Sequence, residues 1–421
     1  MEKILEKENL QAALGKVISN KGAPGLDGIT ADKLSAYLKA NWQKIKGEIV
    51  CGKYKPSPVK RVEIPKASGG VRYLGIPNTT DRFIQQAILQ VLTPIFDPKF
   101  SDKSFGFRPG KRAHDAVRLA KSYFASGCTV VVDMDIEKFF DNVNQDILMS
   151  RLARYVGDKE VLRLIRKYLQ SGVMLNGVCI LTDKGTPQGS PLSPLLANIL
   201  LDDLDKELER RRHKFVRYAD DCNIYVKSLK AGERVMASIT AYLDKKLKLK
   251  VNREKSAVGS PVRRKFLGFS MVKARDNIKI RISNESIKRV KDKIRMYTDP
   301  TWSISIEERI KCLNRYLTGW LGYYSLTEAK SILKKLTSWM RRRMRLCQWH
   351  NWKRIRTKYR NLVKLGVKPD KAYVFANSSR REWKSSASTA IHIALGIEYW
   401  SKLGLIDLLE KYQQIIIRQN R

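Results

Sequence analysis

The sequence predicts an α+β fold, and three observations lead to this class. Segments of strand composition and segments of helical spacing mix along the chain without a regular strand–helix–strand alternation, which argues against a doubly wound parallel sheet. Two strand-like runs flank a short acidic turn at 215–226 (FVRYADDCNIYV), as expected for an antiparallel hairpin. The length of 421 residues suits two or three packed units.

The predicted elements follow in chain order. An N-terminal helix at 2–19 precedes a glycine-rich loop at 20–30 and a second helix that ends near residue 48. Two strands joined by the turn KASGG form a basic hairpin over 59–77. The remaining predictions are a helix at 81–94, a buried strand at 130–132, two short helices within 145–172, a long helix from about 191 to 211, the hairpin at 215–226, a helix at 231–246 and a strand at 263–271.

Lysine and arginine outnumber the acidic residues two to one. The chain has 82 Lys and Arg against 41 Asp and Glu, which gives a formal net charge of +41. Such an excess repels itself unless an anionic partner neutralises it, so nucleic acid is the leading partner and a membrane surface is the alternative. No apolar run approaches the ~20 residues of a membrane-spanning helix, and the first residues predict an amphipathic helix rather than a signal peptide.

The six cysteines form no Cys-x-x-Cys pair, and the chain has only four histidines. This pattern argues against a zinc site and against a disulfide framework. We therefore expect a reduced, cytoplasmic protein.

Two adjacent aspartates, Asp220 and Asp221, lie between the two strand-like runs of 215–226. Aspartate is common in turns, so one interpretation is a simple hairpin turn. The other is a metal site, because carboxylate oxygens are the ligands that Mg²⁺ prefers. A third carboxylate is available after the strand at 130–132, where Asp133 and Asp135 share one face because they are two residues apart. Three carboxylates around two Mg²⁺ ions predict in-line displacement at phosphorus.

The stretch 331–360 holds 11 Lys and Arg, three Trp and no Asp or Glu. A solvated helix face is one interpretation, but such a face normally mixes charges of both signs. We favour a helix pair that contacts phosphates along a nucleic-acid backbone.

Several motifs in this order resemble those of reverse transcriptases, and in detail those encoded by bacterial group II introns. They are RVEIPKASGGVRYLGIP (61–77), SFGFRPGKRAHDAV (104–117), DMDIEKFFDNV (133–143), GTPQGSPLSPLLANILL (185–201), YADD (218–221), KFLGF (265–269) and LNRYLTGWLGYYS (313–325). The resemblance covers nearly the whole chain. It is greatest to the short class C type that lacks an endonuclease domain, since the 56 residues after 365 hold one His and no Cys.

The resemblance implies a right-hand polymerase with fingers, palm and thumb, and it implies roles for particular residues. Asp135, Asp220 and Asp221 would be catalytic and, together with the backbone of Ile136, would hold two Mg²⁺ ions. Mn²⁺ is a possible substitute for Mg²⁺. Asp133 is the alternative to Asp135 as the ligand. The implied nucleotide-binding residues are Lys66, Arg72, Phe140, Gln188 and Ala219, with Phe140 as the steric gate against a ribose 2′-hydroxyl. The implied primer grip is Phe266, Leu267 and Gly268. The implied nucleic-acid contacts are Arg108, Lys334, Lys335, Arg341, Arg342, Arg343, Arg345, Lys353, Arg354 and Arg356.

The same resemblance divides the chain into four expected domains. They are an N-terminal extension with fingers at 1–84, the palm with the remaining finger elements at 85–285, a thumb or maturase domain at 286–365 and a basic DNA-binding segment at 366–421. One position departs from the family pattern, since Ser190 stands where a second glycine usually follows the PQG sequence. If this position requires a positive φ, a serine there is costly.

The function implied is RNA-directed DNA synthesis from a primer, combined with maturase binding of a folded group II intron RNA that supports splicing and retrohoming. The partners implied are an RNA template with a DNA primer, dNTPs, intron RNA and target DNA, with no membrane, at the bacterial nucleoid; the sequence leaves monomer and dimer open. Two alternatives remain: an RNA-binding splicing factor with an inactive polymerase site, and a free-standing, domesticated reverse transcriptase in DNA repair or phage defence.

The charge excess predicts that binding to nucleic acid weakens steeply with salt. Each phosphate contact contributes a slope of about −0.9 in log K against log[salt] for duplex, and somewhat less for single strands. Binding constants measured by fluorescence anisotropy between low and moderate salt test this expectation. A nearly flat curve would contradict the assignment of 331–360 to phosphate contacts.

Overall fold

The computed structural model describes residues 1–65, 70–175, 178–180, 184–186, 189–274 and 277–419. The chain divides into an N-terminal unit, Met1–Arg264, and a C-terminal unit, Lys265–Arg421. Helices and strands mix in the N-terminal unit, and helices dominate the C-terminal one, which confirms the predicted α+β class.

The N-terminal unit holds ten helices and eight strands in its described part. The helices are α1 Glu2–Leu5, α2 Lys7–Ser19, α3 Leu34–Val50, α4 Thr79–Phe96, α5 Ala113–Ala125, α6 Phe139–Asn142, α7 Gln145–Leu152, α8 Lys159–Leu169, α9 Ser193–Arg210 and α10 Leu229–Tyr242. The strands are β1 Val59–Pro65, β2 Val71–Ile76, β3 Val130–Met134, β4 Val173–Leu175, β5 Val178–Ile180, β6 Lys214–Tyr218, β7 Asp221–Val226 and β8 Ala257–Gly259. The predicted single helix at 2–19 is wrong in one respect, because Glu6 has extended backbone angles and separates α1 from α2.

A four-stranded antiparallel sheet in the order β6-β7-β3-β8 forms the centre of this unit. Its β-branched and aromatic residues, such as Val132, Phe215 and Ile224, are fully buried, as expected for strands covered by helices. The helix α10 packs closely on this sheet at Gly232, where a Cβ would lie 2.4 Å from a methyl carbon of Val258. This packing fixes the strands whose ends carry the acidic residues.

A second sheet has the order β2-β1-β4-β5. The antiparallel pair β1–β2 is the predicted basic hairpin, with Ile64 opposite Arg72. The strand β1 also runs parallel to β4, with Val59 opposite Val173. The predicted strands of this hairpin are thereby confirmed, whereas β4 and β5 were not expected from the sequence.

The C-terminal unit begins with a three-stranded sheet in the order β11-β10-β9. The strands are β9 Lys265–Phe266, β10 Phe269–Ala274 and β11 Asn277–Ile282. Leu267 and Gly268 both have positive φ and turn the chain between β9 and β10. The prediction of one strand over 263–271 was therefore wrong, because these two residues form a tight hairpin turn.

Nine helices follow these strands in the part of the C-terminal unit that the structure describes. They are α11 Asn284–Tyr297, α12 Ile306–Tyr324, α13 Lys330–Asn351, α14 Ile355–Lys364, α15 Pro369–Ala376, α16 Glu382–Ser385, α17 Thr389–Ala394, α18 Ile397–Lys402 and α19 Leu408–Gln419. Their shared core includes Trp349, Trp352 and Trp400, each at most 6% exposed. Much of the aromatic content of this region therefore stabilises helix packing. Among the helices of the described residues, none is long and apolar enough to cross a membrane.

A polar cluster lies inside the N-terminal unit around Asp81 on α4, which is 2% exposed. Its carboxylate accepts hydrogen bonds from the Tyr54 hydroxyl at 2.7 Å and from the backbone N–H of Ser57 at 3.2 Å. Burial raises the pKa of Asp81 to about 6 despite these hydrogen bonds, which act in the opposite direction.

This raised pKa predicts a pH-dependent stability. The unfolded carboxyl group releases its proton near its ordinary pKa of 3.8, whereas the folded one keeps it until about pH 6. The folded state therefore binds more protons between these values, and the free energy of unfolding falls as the pH rises through this window. The variant Asp81→Asn, which has no charge to bury, is expected to lose roughly 1–3 kcal/mol of this pH dependence.

Urea unfolding followed by circular dichroism at pH 4.5 and pH 7 measures the difference. Asp102→Asn is the matched control, because Asp102 is an exposed carboxylate paired with Lys111. Equal pH dependence in wild type and Asp81→Asn would contradict the assignment.

Candidate active site

The acidic residues predicted from the sequence meet on one face of the central sheet. In the β3–β7 ladder, Asp133 is opposite Asn223 and Met134 is opposite Cys222. Continuing this register by one residue sets Asp135 opposite Asp221. Side chains two residues apart point to the same face of a strand, so Asp133, Asp135 and Asp221 share one face, beside the turn that carries Asp220.

The carboxyl groups interact strongly. Burial, followed by the repulsion of Asp220, Asp133 and Asp135, raises the pKa of Asp221 to about 7. A group in this position loses its charge at neutral pH unless a cation lies beside it. Among the described residues, no three His, Cys, Asp or Glu side chains are grouped closely enough to hold a metal ion as they stand. Like charges separate when no cation lies between them, and a divalent ion has the opposite effect.

Two cations distinguish Asp133 from Asp135. Arg264 donates from Nε and Nη2 to Asp133 Oδ2, at 2.9 and 2.6 Å. Asp135 has a looser partner, since Lys255 Nζ lies 3.6 Å from its Oδ1 and the Lys255 side chain is 64% exposed. A carboxylate held by two arginine N–H groups is less available to a metal than one facing a mobile ammonium group. This arrangement favours Asp135 as the ligand.

The backbone of Asp135 is held in place by the segment that leads into β8. Its N–H donates to Ser256 Oγ at 2.9 Å, and its carbonyl oxygen accepts from the backbone N–H of Asn252 at 2.8 Å. The next residue, Ile136, is buried and forms a bridge with Val251. The segment 252–256 thus fixes the residue that follows β3.

The hairpin β1–β2, the start of α6 and the residues before α9 line a common cavity of about 190 Å³. Phe140 is half-buried here, with its ring 5.2 Å from that of Phe139, and Phe140 O accepts from the backbone N–H of Thr186 at 2.7 Å. Two cations, Arg61 and Lys184, also line the cavity. Three of the segments assigned to nucleotide binding from the sequence therefore meet at one cavity.

Two predicted nucleotide-binding residues, Lys66 and Gln188, lie outside the described residues, and for Arg72 the structure describes only the backbone, in β2. Ala219 is buried in the turn between β6 and β7, with a positive φ of 57°. The cations that sequence reasoning did not select are Arg61, Lys184, Lys255 and Arg264. Only tertiary contacts identify them, because each is one of 82 Lys and Arg residues.

Ser190 does not require an unusual backbone. The glycine before it, Gly189, has the positive φ, at 112°. Ser190 is buried, and its hydroxyl donates to the side-chain oxygen of Gln85 on α4. The serine therefore replaces the second glycine at no conformational cost and adds a hydrogen bond.

In the C-terminal unit, the predicted primer grip forms the β9–β10 turn. The Tyr323 hydroxyl donates to Leu267 O at 2.9 Å, and the backbone N–H of Ser283 donates to Gly268 O at 3.0 Å. Phe266 is buried. These contacts tie the turn to α11 and α12.

The predicted nucleic-acid contacts divide into two groups. Lys334, Lys335, Lys353, Arg354 and Arg356 are exposed. The guanidinium groups of the others bind protein groups: Arg341 pairs with Asp407, Arg342 covers the Trp383 ring at 4.0 Å, Arg343 donates to Thr298 Oγ1, Arg345 donates to Ser386 O, and Arg108 pairs with Asp97. Arg345 is 6% exposed, and burial lowers its pKa to about 10. Of the predicted nucleic-acid contacts, the five exposed cations are therefore the ones whose charged groups are accessible to a partner.

A central antiparallel sheet with carboxylates at its strand ends, in a chain that also holds a helical basic unit, is the arrangement of a nucleic-acid polymerase of the right-hand class. Comparison with known proteins agrees with this class. Residues 64–271 match the family "Reverse transcriptase (RNA-dependent DNA polymerase)", and residues 287–366 match "Group II intron, maturase-specific domain". The chain therefore belongs to the group II intron reverse transcriptase and maturase family.

Three relatives illustrate the similarity. Protein YkfC of Escherichia coli (strain K12) is 32% identical over 295 residues, which cover 61% of this chain and 77% of the relative. The group II intron-encoded protein LtrA of Lactococcus lactis subsp. cremoris is 30% identical over 372 residues, covering 70% of this chain. The putative COX1/OXI3 intron 2 protein of Saccharomyces cerevisiae is 37% identical over 206 residues, covering 48% of this chain and 24% of the relative. For LtrA, the matched region covers 61% of the relative's own length, so this chain spans less than two thirds of that protein.

Family membership establishes the class of activity. The reverse transcriptase domain is an RNA-directed DNA polymerase, and such domains use divalent metal ions. The maturase-specific domain implies that intron RNA and other nucleic acids are its substrates.

The close approach of Gly189 to β2 generates a prediction. A Cβ at Gly189 would lie 2.7 Å from Gly75 O, and the φ of 112° strains any other residue. Gly189→Ala is expected to displace the residues beside the cavity and to slow primer extension by about tenfold or more, since a small displacement of a positioning group has an effect of up to about 100-fold.

The measurement is the rate of single-nucleotide addition over a range of dNTP concentrations. Gly47→Ala is the matched control, because no atom lies within 4 Å of a Cβ at that helical glycine. Equal rates for the two variants would contradict the role of this contact.

Proposed function

We propose that this protein extends a DNA primer on an RNA template by two-metal phosphoryl transfer and that it also binds a group II intron RNA as a maturase. The observation that carries the proposal is the β3–β7 register, which pairs Met134 with Cys222. Extended by one residue, this register brings Asp135 opposite Asp221, beside the turn that carries Asp220. The raised pKa of Asp221 supports it, because a set of mutually repelling carboxyl groups is suited to binding cations.

In this proposal Asp135, Asp220 and Asp221, with the backbone carbonyl of Ile136, hold two Mg²⁺ ions, and Mn²⁺ can replace them. When bound, the ions activate the primer 3′-hydroxyl and stabilise the charge on the leaving pyrophosphate. Asp133 remains paired with Arg264 and orients the strand end rather than binding metal.

The nucleotide-binding step is assigned to the cavity beside Phe140. Arg61 and Lys184 line it, Arg72 belongs to β2 of the hairpin that also carries Arg61, and Lys66 is added on the family resemblance. Cations at these positions can bind the triphosphate through charge-assisted hydrogen bonds. The ring of Phe140, wedged against the buried Phe139, occupies space that a ribose 2′-hydroxyl needs, which selects dNTPs over NTPs.

The C-terminal unit is assigned to nucleic-acid binding. The β9–β10 turn with Phe266, Leu267 and Gly268 contacts the primer end, and the exposed cations of α13 and the segment after it contact phosphates of the template duplex or intron RNA. The helices after 366 contact target DNA. The reverse transcriptase and maturase-specific matches support this division of labour.

The proposal predicts different outcomes for two aspartates that lie two residues apart on one strand. Asp135→Asn and Asp220→Asn are each expected to lower the rate of primer extension by more than about 100-fold, because loss of a metal ligand exceeds the 10–100-fold effect of its supporting partners. Asp133→Asn is expected to lower the rate by about 10-fold or less, since it weakens the Arg264 pair and removes no proposed metal ligand.

Single-turnover extension of a DNA primer on an RNA template measures these rates. Primer–template affinity and the circular dichroism spectrum are the controls for folding. Full activity of Asp135→Asn together with loss of activity in Asp133→Asn would reverse the ligand assignment. Absence of synthesis by the wild type, with intact RNA binding, would favour an RNA-binding splicing factor instead.

A further inference from the structure

The turn that carries the paired aspartates has an unfavourable backbone. Ala219 and Asp220 form a two-residue connection between Tyr218 and Asp221, which face each other at the ends of β6 and β7. Ala219 has a φ of 57°, and Asp220 does not share the positive φ. A positive φ at the first central position of a two-residue hairpin turn is normally supplied by glycine, asparagine or aspartate. An alanine there costs about 1 kcal/mol or more, so other contacts must hold it.

Arg217 provides those contacts from inside the unit, where its side chain is fully buried. Its Nε and Nη2 donate to the two carboxylate oxygens of Asp205 on α9, at 2.7 and 2.6 Å. Its Nη1 donates to Asn198 Oδ1 at 3.0 Å and to Ala219 O at 2.9 Å. One guanidinium group therefore connects α9 with the carbonyl group directly before Asp220.

The loop at 103–106 closes on the turn from another side. Arg217 and this loop exchange backbone hydrogen bonds, since Arg217 N–H donates to Lys103 O and Phe105 N–H donates to Arg217 O, both at 2.9 Å. Asn198 Nδ2 donates to Gly106 O at 2.9 Å. A Cβ at Gly106 would lie 2.3 Å from the backbone nitrogen of Ala219. The glycine in the SFGFRPG motif is therefore required for close contact with the catalytic turn.

A buried ion pair alone contributes little to stability, because the loss of hydration offsets most of the attraction. In addition to the pair with Asp205, the Arg217 guanidinium group donates a hydrogen bond to Ala219 O. Because the planar guanidinium group is bonded to both Asp205 oxygens, its orientation is fixed. The hydrogen bond from Nη1 therefore fixes the position of the Ala219 carbonyl group in the turn.

We propose that Arg217 is a positioning residue of the polymerase reaction. Fixed by Asp205 and Asn198, it holds Ala219 in the left-handed conformation that aims Asp220 and Asp221 at the metal-binding position. The inference depends on the proposed polymerase function and extends it to residues that touch neither substrate nor metal.

Arg217→Lys tests the inference, because lysine keeps the charge beside Asp205 but cannot reach Asp205, Asn198 and Ala219 O at once. The expected result is a 10–100-fold lower rate of nucleotide addition, a higher Mg²⁺ concentration for half-maximal rate and unchanged primer–template affinity. The double variant Arg217→Lys with Ala219→Gly is expected to recover at least several-fold of the lost rate, because glycine adopts the turn without the brace.

Arg309→Lys is the matched control. Arg309 is also fully buried, and it donates to three backbone carbonyl groups, of Tyr297, Asp299 and Trp302, within the C-terminal unit. A lysine there is expected to lower stability and leave the Mg²⁺ dependence of the rate unchanged. Direct Mn²⁺ binding by the free protein, followed by electron paramagnetic resonance, adds a readout that does not need activity, and Arg217→Lys is expected to bind Mn²⁺ more weakly than wild type.

If Arg217→Lys fails to fold, Gly106→Ala replaces it, since that change keeps the arginine and its bonds to Asp205 but displaces Ala219, and with it the carbonyl oxygen that Arg217 holds. It is expected to shift the Mg²⁺ dependence in the same direction. An unchanged metal dependence in the folded variant, or no recovery with Ala219→Gly, would overturn the inference. Wild-type protein that binds Mn²⁺ but makes no DNA would instead overturn the proposed function, and the Mn²⁺ comparison would still decide the role of Arg217.

Discussion

The repulsion among carboxyl groups on one face of the central sheet is the constraint on which the rest of the N-terminal unit depends. Asp133, Asp135, Asp220 and Asp221 are brought together by the pairing of β3 with β7 and by a two-residue turn. Burial, followed by repulsion among these groups, raises the pKa of Asp221. Buried apolar residues such as Val132 and Ile224 hold the strands in this register and offset the repulsion. In the proposed function, a divalent cation would relieve it.

The positive charges of the chain serve two purposes that composition does not separate. Buried or half-buried arginines, among them Arg217, Arg309 and Arg345, donate hydrogen bonds to carboxylates and backbone carbonyl groups inside their own units. Exposed cations such as Lys334 and Arg354 are the ones that the proposed function assigns to nucleic acid. Arginine suits the first purpose because one planar group donates up to five hydrogen bonds without losing its charge. A net charge of +41 therefore overstates the number of groups free to contact phosphates.

The predictions from the sequence were accurate where local patterns decide the structure and wrong where distant contacts decide it. The α+β class and the basic hairpin at 59–77 are confirmed, and they followed from the irregular mix of strands and helices and from strand alternation. The assignment of Asp135, Asp220 and Asp221 to one metal site stays a prediction, which the β3–β7 register supports. The errors fell at chain reversals, as at Glu6 and at Leu267–Gly268. A leucine with positive φ gives no local signal, because the contacts that impose it, including the Tyr323 hydroxyl on Leu267 O, come from 56 residues away.

The sequence by itself determined the class of protein and singled out the acidic residues proposed for the site, because hydrophobic periodicity and ordered motifs are local properties of the chain. The tertiary structure alone decided which aspartate a cation already engages, which arginines are buried and how Ala219 is held. These outcomes depend on groups from distant segments, such as Arg264 on Asp133 and Asp205 on Arg217. Their hydrogen bonds form only where folding brings residues from distant segments within bonding distance, and no local pattern encodes that proximity.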